Sequence, residues 1–343
     1  MGTMLDHQVG WKTESTYNTP VTVDRFGEWL PSSGLDWDPN VVQGKGLRVG
    51  STVDRAARRT SLVGSGKGKL VFELLSKGFG TLLKGCWGTA ASTLVSGTTY
   101  QQLFQAAVTG SFLDSFTVQE GIVEVGGTVD PYTFAGCTVG KYELEMPEDG
   151  YLSLTVELDC RSLATGTSLA TASYPSSPTI FHSALPTSAA MTVGGTLTVP
   201  TTTALASIAA GTNVAVKSWT LNVDNGIDEK RNVLGGRNQP VVGKRKISLK
   251  AKAEYDATTG TVFRDAYIGQ SSTPILLTST TAETLSTGTA EVQLALPACY
   301  IDKGPIPSPE DGKTVVTDIE WSVLDNLTQT PAYMVMRTAD TAL

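Results

Sequence analysis

Residues 137–150 read CTVGKYELEMPEDG, and residues 299–312 read CYIDKGPIPSPEDG. Cys137 and Cys299 lie 162 positions apart, and so do Pro147 and Pro309. Lys141 and Lys303 fall on the same offset, as do Val139 and Ile301. A match without gaps over this length identifies an internal repeat and predicts two related halves. Pro-Glu-Asp-Gly is a turn sequence: proline presets φ, and glycine accepts the positive φ that most residues avoid. Each half is therefore expected to end in a hairpin.

The flanks agree. After the first turn, Leu152, Leu154, Val156 and Leu158 alternate with polar residues. After the second, Val315, Ile319, Trp321 and Val323 share one face. Period two is the signature of a half-buried strand. With one residue of slip, read as a bulge, Val156-Glu157-Leu158 matches Ile319-Glu320-Trp321. Upstream, Lys69 to Leu74 parallels Lys250 to Tyr255, and a short helix candidate follows each. The first helix carries Phe79, Leu82, Leu83, Cys86 and Trp87 on one apolar stripe; the second carries Val262, Phe263, Ala266 and Tyr267.

These patterns predict a mainly β protein of two related domains, each with one short flanking helix. The expected boundaries are an N-terminal arm over 1–34, a first β domain over 35–162, a linker or insertion over 163–215, and a second β domain over 216–343. The stretch Ser162 to Ala215 is rich in Ser, Thr, Ala and Pro. Partial order is expected there, with a small hairpin of Met191–Val193 and Leu197–Val199 about Gly194-Gly195.

Composition supports many short strands. The chain has 343 residues, 40% of them hydrophobic and 17% charged, with 35 glycines. That length suffices for two packed cores. A net charge of −7 argues against a free nucleic-acid-binding protein, which usually has a basic excess. No apolar run approaches the roughly 20 residues of a membrane span. Met1 to Gly10 holds Asp6 and His7 and has no apolar core, so it does not read as a secretory signal. Cys86, Cys137, Cys160 and Cys299 are far apart, with no CxxC pair, and are expected to be reduced, packed thiols.

Catalytic motifs fail inspection. Two histidines, His7 and His182, leave little for a metal site or a Ser-His-Asp triad. Gly64 to Lys69 superficially looks like a phosphate loop, but its GK pairs are followed by Gly or Leu, not Ser or Thr. Glu143, Glu145, Glu148 and Asp149 cluster near the first turn, yet the second half keeps only Glu310 and Asp311. A solvated acidic turn explains them better than glycoside hydrolysis. No enzyme activity and no cofactor is expected.

Charge is unevenly laid out. Arg48, Arg55, Arg58 and Arg59 crowd one polar loop, Leu47–Gly66; Arg231 and Arg237 lie in another, Gly226–Gly243. The strands after the PEDG turns are acidic. Three readings stand: ordinary surface with ion pairs inside each domain, complementarity between copies of a repeating assembly, or nucleic-acid contact by the basic loops, which suits the acidic total poorly.

The opening Gly10-Trp11-Lys12-Thr13-Glu14-Ser15-Thr16-Tyr17-Asn18-Thr19-Pro20 resembles the start of bacteriophage tail tube proteins, of the form G-x-K-x-E-x-T-Y-G-T-P, with Asn18 in place of the usual glycine. Trp219 to Gly226, ending Asp224-Asn225-Gly226, is similar to a strand of the same family. The resemblance is to the major tail tube protein of long-tailed, siphophage-type phages. It implies tail-tube-type β-sandwich domains that contribute strands to the inner β-barrel of a ring. Rings stack into a tube that conducts double-stranded DNA through a lumen with an acidic wall.

On that basis Arg48, Arg55, Arg58, Arg59, Arg231 and Arg237 are candidates for ring stacking. Ser153, Thr155, Glu157, Asp159, Thr314, Asp318 and Glu320 are candidates for the lumen face. The expected partners are other copies of the chain, in trimeric rings of pseudo-sixfold symmetry, the tape measure and tail-end proteins, and transiently passing DNA, with no membrane insertion. The expected location is the virion tail, assembled in the host cytoplasm. An adhesin or carbohydrate-binding β-sandwich is the alternative; it should expose an aromatic platform, and aromatics make up only 7%.

Overall fold

The computed structural model describes residues 6–106, 112–183, 190–229, 231–234, 236–304, 306, 315–341 and 343. In chain order the first half comprises β1 (Gln8–Thr13), β2 (Arg25–Gly27), β3 (Gly34–Asp38), β4 (Val41–Gln43), β5 (Arg59–Ser61), β6 (Ser65–Glu73), α1 (Gly80–Trp87), β7 (Thr89–Ser96), β8 (Thr99–Gln105), β9 (Phe116–Val123), β10 (Val129–Met146), β11 (Ser153–Cys160) and β12 (Ser162–Ala164). The biased stretch holds β13 (Ala190–Val193), β14 (Thr196–Thr198), β15 (Ser207–Ala209) and β16 (Thr212–Val214). The second half comprises β17 (Val216–Asp224), β18 (Asn232–Val233), β19 (Gly236–Arg237), β20 (Lys246–Glu254), α2 (Ala257–Ile268), β21 (Thr273–Thr284), β22 (Thr289–Lys303), β23 (Val316–Val323) and β24 (Tyr333–Thr338). The protein is mainly β.

Eight strands pair antiparallel in the order β3-β6-β11-β10-β17-β20-β23-β22. The first four come from the first half and the last four from the second, in matching order. Outside this run the long strands β10 and β22 change partners in the same way. The start of β10 lies between β9 and β12; the start of β22 lies between β21 and β24.

The repeat extends to the register. Val139 lies opposite Leu158, a bulge follows, and Lys141 then faces Glu157. Ile301 lies opposite Trp321, a bulge follows, and Lys303 faces Glu320. Both halves carry this bulge at the same offset of 162, so it does not produce the one-residue slip; the partners Leu158 and Trp321 are 163 apart, and the extra residue falls between the second PEDG sequence and β23.

One face of the eight-strand run is apolar. Leu154, Val156, Leu144, Leu221, Leu249 and Trp321 are fully or almost fully buried. Each such side chain contributes about 1.5–3 kcal/mol by leaving water. The helices close over this face: Trp87 of α1 packs 5.8 Å from Tyr142, and Phe263 of α2 packs edge-on 5.7 Å from Trp321. Length allowed two separate cores, but most buried apolar residues of both halves form one continuous cluster, with a smaller second cluster about Leu103, Leu276 and Tyr333 that also draws on both halves. The reason is that β10 and β17 are hydrogen-bonded neighbours, which leaves no gap between the halves.

Two sequence expectations change. The 1–34 segment supplies β1, which pairs with β9 and buries Trp11 completely. Met191–Val193 does not pair with Leu197–Val199: β13 lies between β16 and β21, and β14 pairs with β15. Met191 and Val193 are almost fully buried there, a burial that a lone hairpin could not provide. The second PEDG turn lies outside the described residues.

Candidate assembly interface

The two halves meet where Lys141–Met146 of β10 pairs with Trp219–Asp224 of β17. The Asp224-Asn225-Gly226 motif builds one end of this seam. Asp224 faces Lys141, with 3.8 Å between carboxylate and Nζ, and its Oδ1 accepts the Gly226 N–H at 2.8 Å. Asn225 is fully buried; its backbone N–H donates to the Gly140 carbonyl, and its Nδ2 donates to the Val139 and Cys86 carbonyls. Arg245 donates to the Trp87 carbonyl at 2.9 Å. The last carbonyls of α1, which a helix cannot satisfy itself, are thus taken by the second half. Gly226 has φ +61°, and a Cβ there would lie 2.6 Å from the Lys244 carbonyl oxygen, so glycine is required.

The opening motif is equally physical. Glu14 is buried, and its carboxylate accepts four hydrogen bonds: from the Asn18 N–H, the Ser115 hydroxyl, the Thr117 hydroxyl and the Gly136 N–H. It ties the turn after β1 to β9 and β10. Asn18 takes φ +59°, a left-handed conformation that asparagine tolerates better than most residues. This is why it can stand where the resembled motif has glycine.

Tyr17 leads to a second buried cluster. Asp159 accepts from Arg231 Nη1 at 2.6 Å and from Arg237 Nη2 at 2.9 Å, and all three side chains are 4–5% exposed. Arg231 also donates to the Tyr17 hydroxyl at 3.1 Å. Burial pushes the Tyr17 phenol up, against the lowering effect of Arg231. This clasp holds the 226–243 loop of the second half on β11 of the first.

The clasp corrects three sequence expectations. Arg231 and Arg237 are not presented on an exposed stacking surface, because both guanidinium groups are committed to Asp159. Asp159 in turn is buried under that loop and does not stand on the open polar face. The period-two pattern placed Asp159 on the same face as Glu157, but it could not show that a loop more than 60 residues later would cover it.

The other residues fall as follows. Ser153 and Thr155 are half-buried, Glu157 and Asp318 exposed, and Glu320 half-buried, all on the polar face of the eight-strand run. Thr314 lies outside the described residues. Lys69 is directly opposite Glu157, and Lys250 opposite Glu320; opposite residues share a face, so lysine and carboxylate rows are interleaved. Glu320 lies 2.6 Å from Lys250 and 3.7 Å from Lys303. The PEDG residue Glu148 pairs with Lys217 at 2.9 Å. Glu143 is pushed up by burial first, then by the Glu145 and Glu157 carboxylates.

Arg48, Arg58 and Arg59 are exposed and Arg55 half-exposed, on the 39–64 segment that carries the two-stranded β4–β5 arm. Leu47 and Val49, at its far end, are fully exposed.

Among the described residues, no three His, Cys, Asp or Glu side chains gather as a metal site, and no helix is long and apolar enough to cross a membrane. All four cysteines are buried free thiols. Burial pushes the Cys86 and Cys299 thiols well above their ordinary value, so neither resembles an activated nucleophile.

The opening motif and the Asp-Asn-Gly motif both serve to join strands and turns. The family model described as phage tail tube protein matches residues 4–323, and the chain belongs to that family. Its role is that of a structural component of a virion tail. A search of curated proteins found no match.

Proposed function

We propose that this chain is the major tail tube subunit of a long-tailed, siphophage-type bacteriophage, forming rings that stack into a hollow conduit for double-stranded DNA during ejection. The observation that carries this reading is the eight-strand run. Two like sets of four strands, read as related domains over 35–162 and 216–343, are already joined edge to edge within one chain. An edge strand left with one partner invites another chain. Repeating such a head-to-tail contact generates a ring when the rotation closes. Six sets per ring then require three chains, giving pseudo-sixfold symmetry.

In this reading the polar face with Ser153, Thr155, Glu157, Asp318 and Glu320 lines the lumen. Its lysines sit beside carboxylates, so passing phosphates meet no run of free cations. The β4–β5 arm, with Arg48, Arg55, Arg58 and Arg59, contacts the next ring. Tape measure and tail-end proteins are the further partners, and assembly takes place in the host cytoplasm before the tail joins the virion.

Electron microscopy of the purified protein tests the reading: stacked rings or tubes are expected, and a persistent dispersed monomer contradicts it. Native mass spectrometry then counts chains per ring. Six chains of this length in one ring would overturn the trimer.

A further inference from the structure

Cys137 and Cys160 meet across adjacent strands. On one side of them Thr138 of β10 lies opposite Asp159 of β11, and Val139 opposite Leu158. On the other side Ala135 of β10 lies opposite Ser162 of β12, and Phe134 opposite Leu163. The register is the same in both stretches, so between them Cys137 falls opposite Cys160. The repeat gives an independent check: the counterparts of these residues, Cys299 of β22 and Val323 of β23, are a directly opposite pair.

Opposite residues in an antiparallel ladder share a face, and their Cα atoms lie about 4.5 or 5.5 Å apart. A disulfide takes a Cα separation of roughly 4.4–6.8 Å, so either spacing fits. Both thiols are free and fully buried. Burial pushes the Cys137 thiol up, contact with the Cys160 thiol pushes it further, and the Glu14 carboxylate acts in the same direction. The other two cysteines are placed differently: Cys299 faces a valine, and Cys86 lies on α1.

We propose that Cys137 and Cys160 are a latent disulfide, a modification site closed by a small peroxide-class oxidant and reopened by a dithiol reductant. Peroxide attack on one sulfur forms the S–O bond of a sulfenic acid and breaks the O–O bond, and the thiol proton leaves in water. The second thiol then attacks that sulfur; the S–S bond forms, the S–O bond breaks, and a second water carries away the other proton. The two sulfurs together lose two electrons, and the peroxide takes up both. A dithiol reverses the step by two exchanges, becoming a disulfide itself and leaving a proton on each cysteine. Both sulfurs are shut off from solvent and held as thiols, so closure is slow and follows local opening of β10 and β11.

Position gives the bond its effect. Cys137 also pairs with Phe116 of β9, and a few residues on, Lys141–Met146 pairs with β17. The link ties β10 to β11 where β10 leaves β9 for the seam between the halves.

The test uses the full wild-type chain, treated with hydrogen peroxide, denatured, alkylated and mapped by peptide mass. A linked pair of peptides holding Cys137 and Cys160 is expected, with Cys86 and Cys299 still open to alkylation, and dithiol removes the link. The same treatment in urea, where the register is lost, is expected to give a mixture that includes pairings of Cys86 and Cys299. The proposal is overturned by a Cys137–Cys160 link no more frequent in the folded protein than in urea. It is equally overturned by peroxide that leaves both as thiols or carries them to sulfinic acid unlinked. A second readout is the denaturant midpoint, which is expected to rise on oxidation and fall back on reduction. Cys160→Val places there the residue that the second half has, Val323, and its midpoint is expected not to respond. An equal rise in this variant overturns the link as the cause. Should Cys160→Val not fold, the wild-type peptide map alone decides.

Discussion

Lys141 of β10 and Asp224 of β17 face each other across the hydrogen-bonded strand pair that joins the two halves within the eight-strand run. Both are more than 40% exposed at their side chains, so the ion pair itself adds little. The buried neighbour Asn225 carries the seam. Asn225→Ala strips hydrogen bonds from two carbonyls and is expected to cost about 2–4 kcal/mol, read as a shift in the denaturant midpoint. Asp224→Ala should cost under about 1 kcal/mol by the same measurement. Equal effects would contradict the assignment.

Removing the acceptor at Glu14 strands four donors. Glu14→Ala is expected to destabilise by about 3 kcal/mol or more. Glu14→Gln should fall in between, since an amide can accept on one atom only. Thermal unfolding of the three proteins side by side measures the order.

The Asp159 clasp makes a contrasting prediction. Asp159→Asn leaves two buried guanidinium groups without their counter-charge and should cost about 3–5 kcal/mol. Replacing Asp159, Arg231 and Arg237 together by apolar residues of similar size should recover most of that loss. A triple variant less stable than Asp159→Asn in a urea melt would show that the ions contribute more than their desolvation costs.

Burial pushes Glu120 up to about 7 from an ordinary 4.5, against the lowering effect of the Leu35 N–H. Between those two values the folded protein holds a proton that the unfolded chain releases. Stability therefore falls as pH rises through this window and levels off above it, by about 3 kcal/mol from this group. Glu120→Gln should flatten the profile and raise the melting temperature at pH 8 more than at pH 4.5. A parallel offset at both pH values would contradict it.

Reversing Arg55, Arg58 and Arg59 to glutamate is expected to stop tube growth while the far-ultraviolet circular dichroism spectrum and melting temperature stay unchanged. The arm bearing them contributes no residue to the core. Normal tubes from the triple variant would remove the arm from ring stacking.

The sequence by itself determined the period-two strands, both helix positions, the 162-residue repeat with its slip and the family, because each is written in local spacing or short motifs. Strand alternation also placed Glu157 and Glu320 on a polar face. Only the tertiary structure decided what lies against what. The seam of β10 with β17 joins segments separated by the whole biased stretch, and no periodicity encodes that neighbour. Met191 and Val193 read as one arm of a small hairpin because pairing with the nearest apolar run is the local solution; the wider sheet at β21 buries them better. Arg231, Arg237 and Asp159 looked like surface charge in a linear chain, since charge alone does not reveal burial. They became a clasp because the fold brings two guanidinium groups and one carboxylate into a site that excludes water, where each charge persists only with its partner.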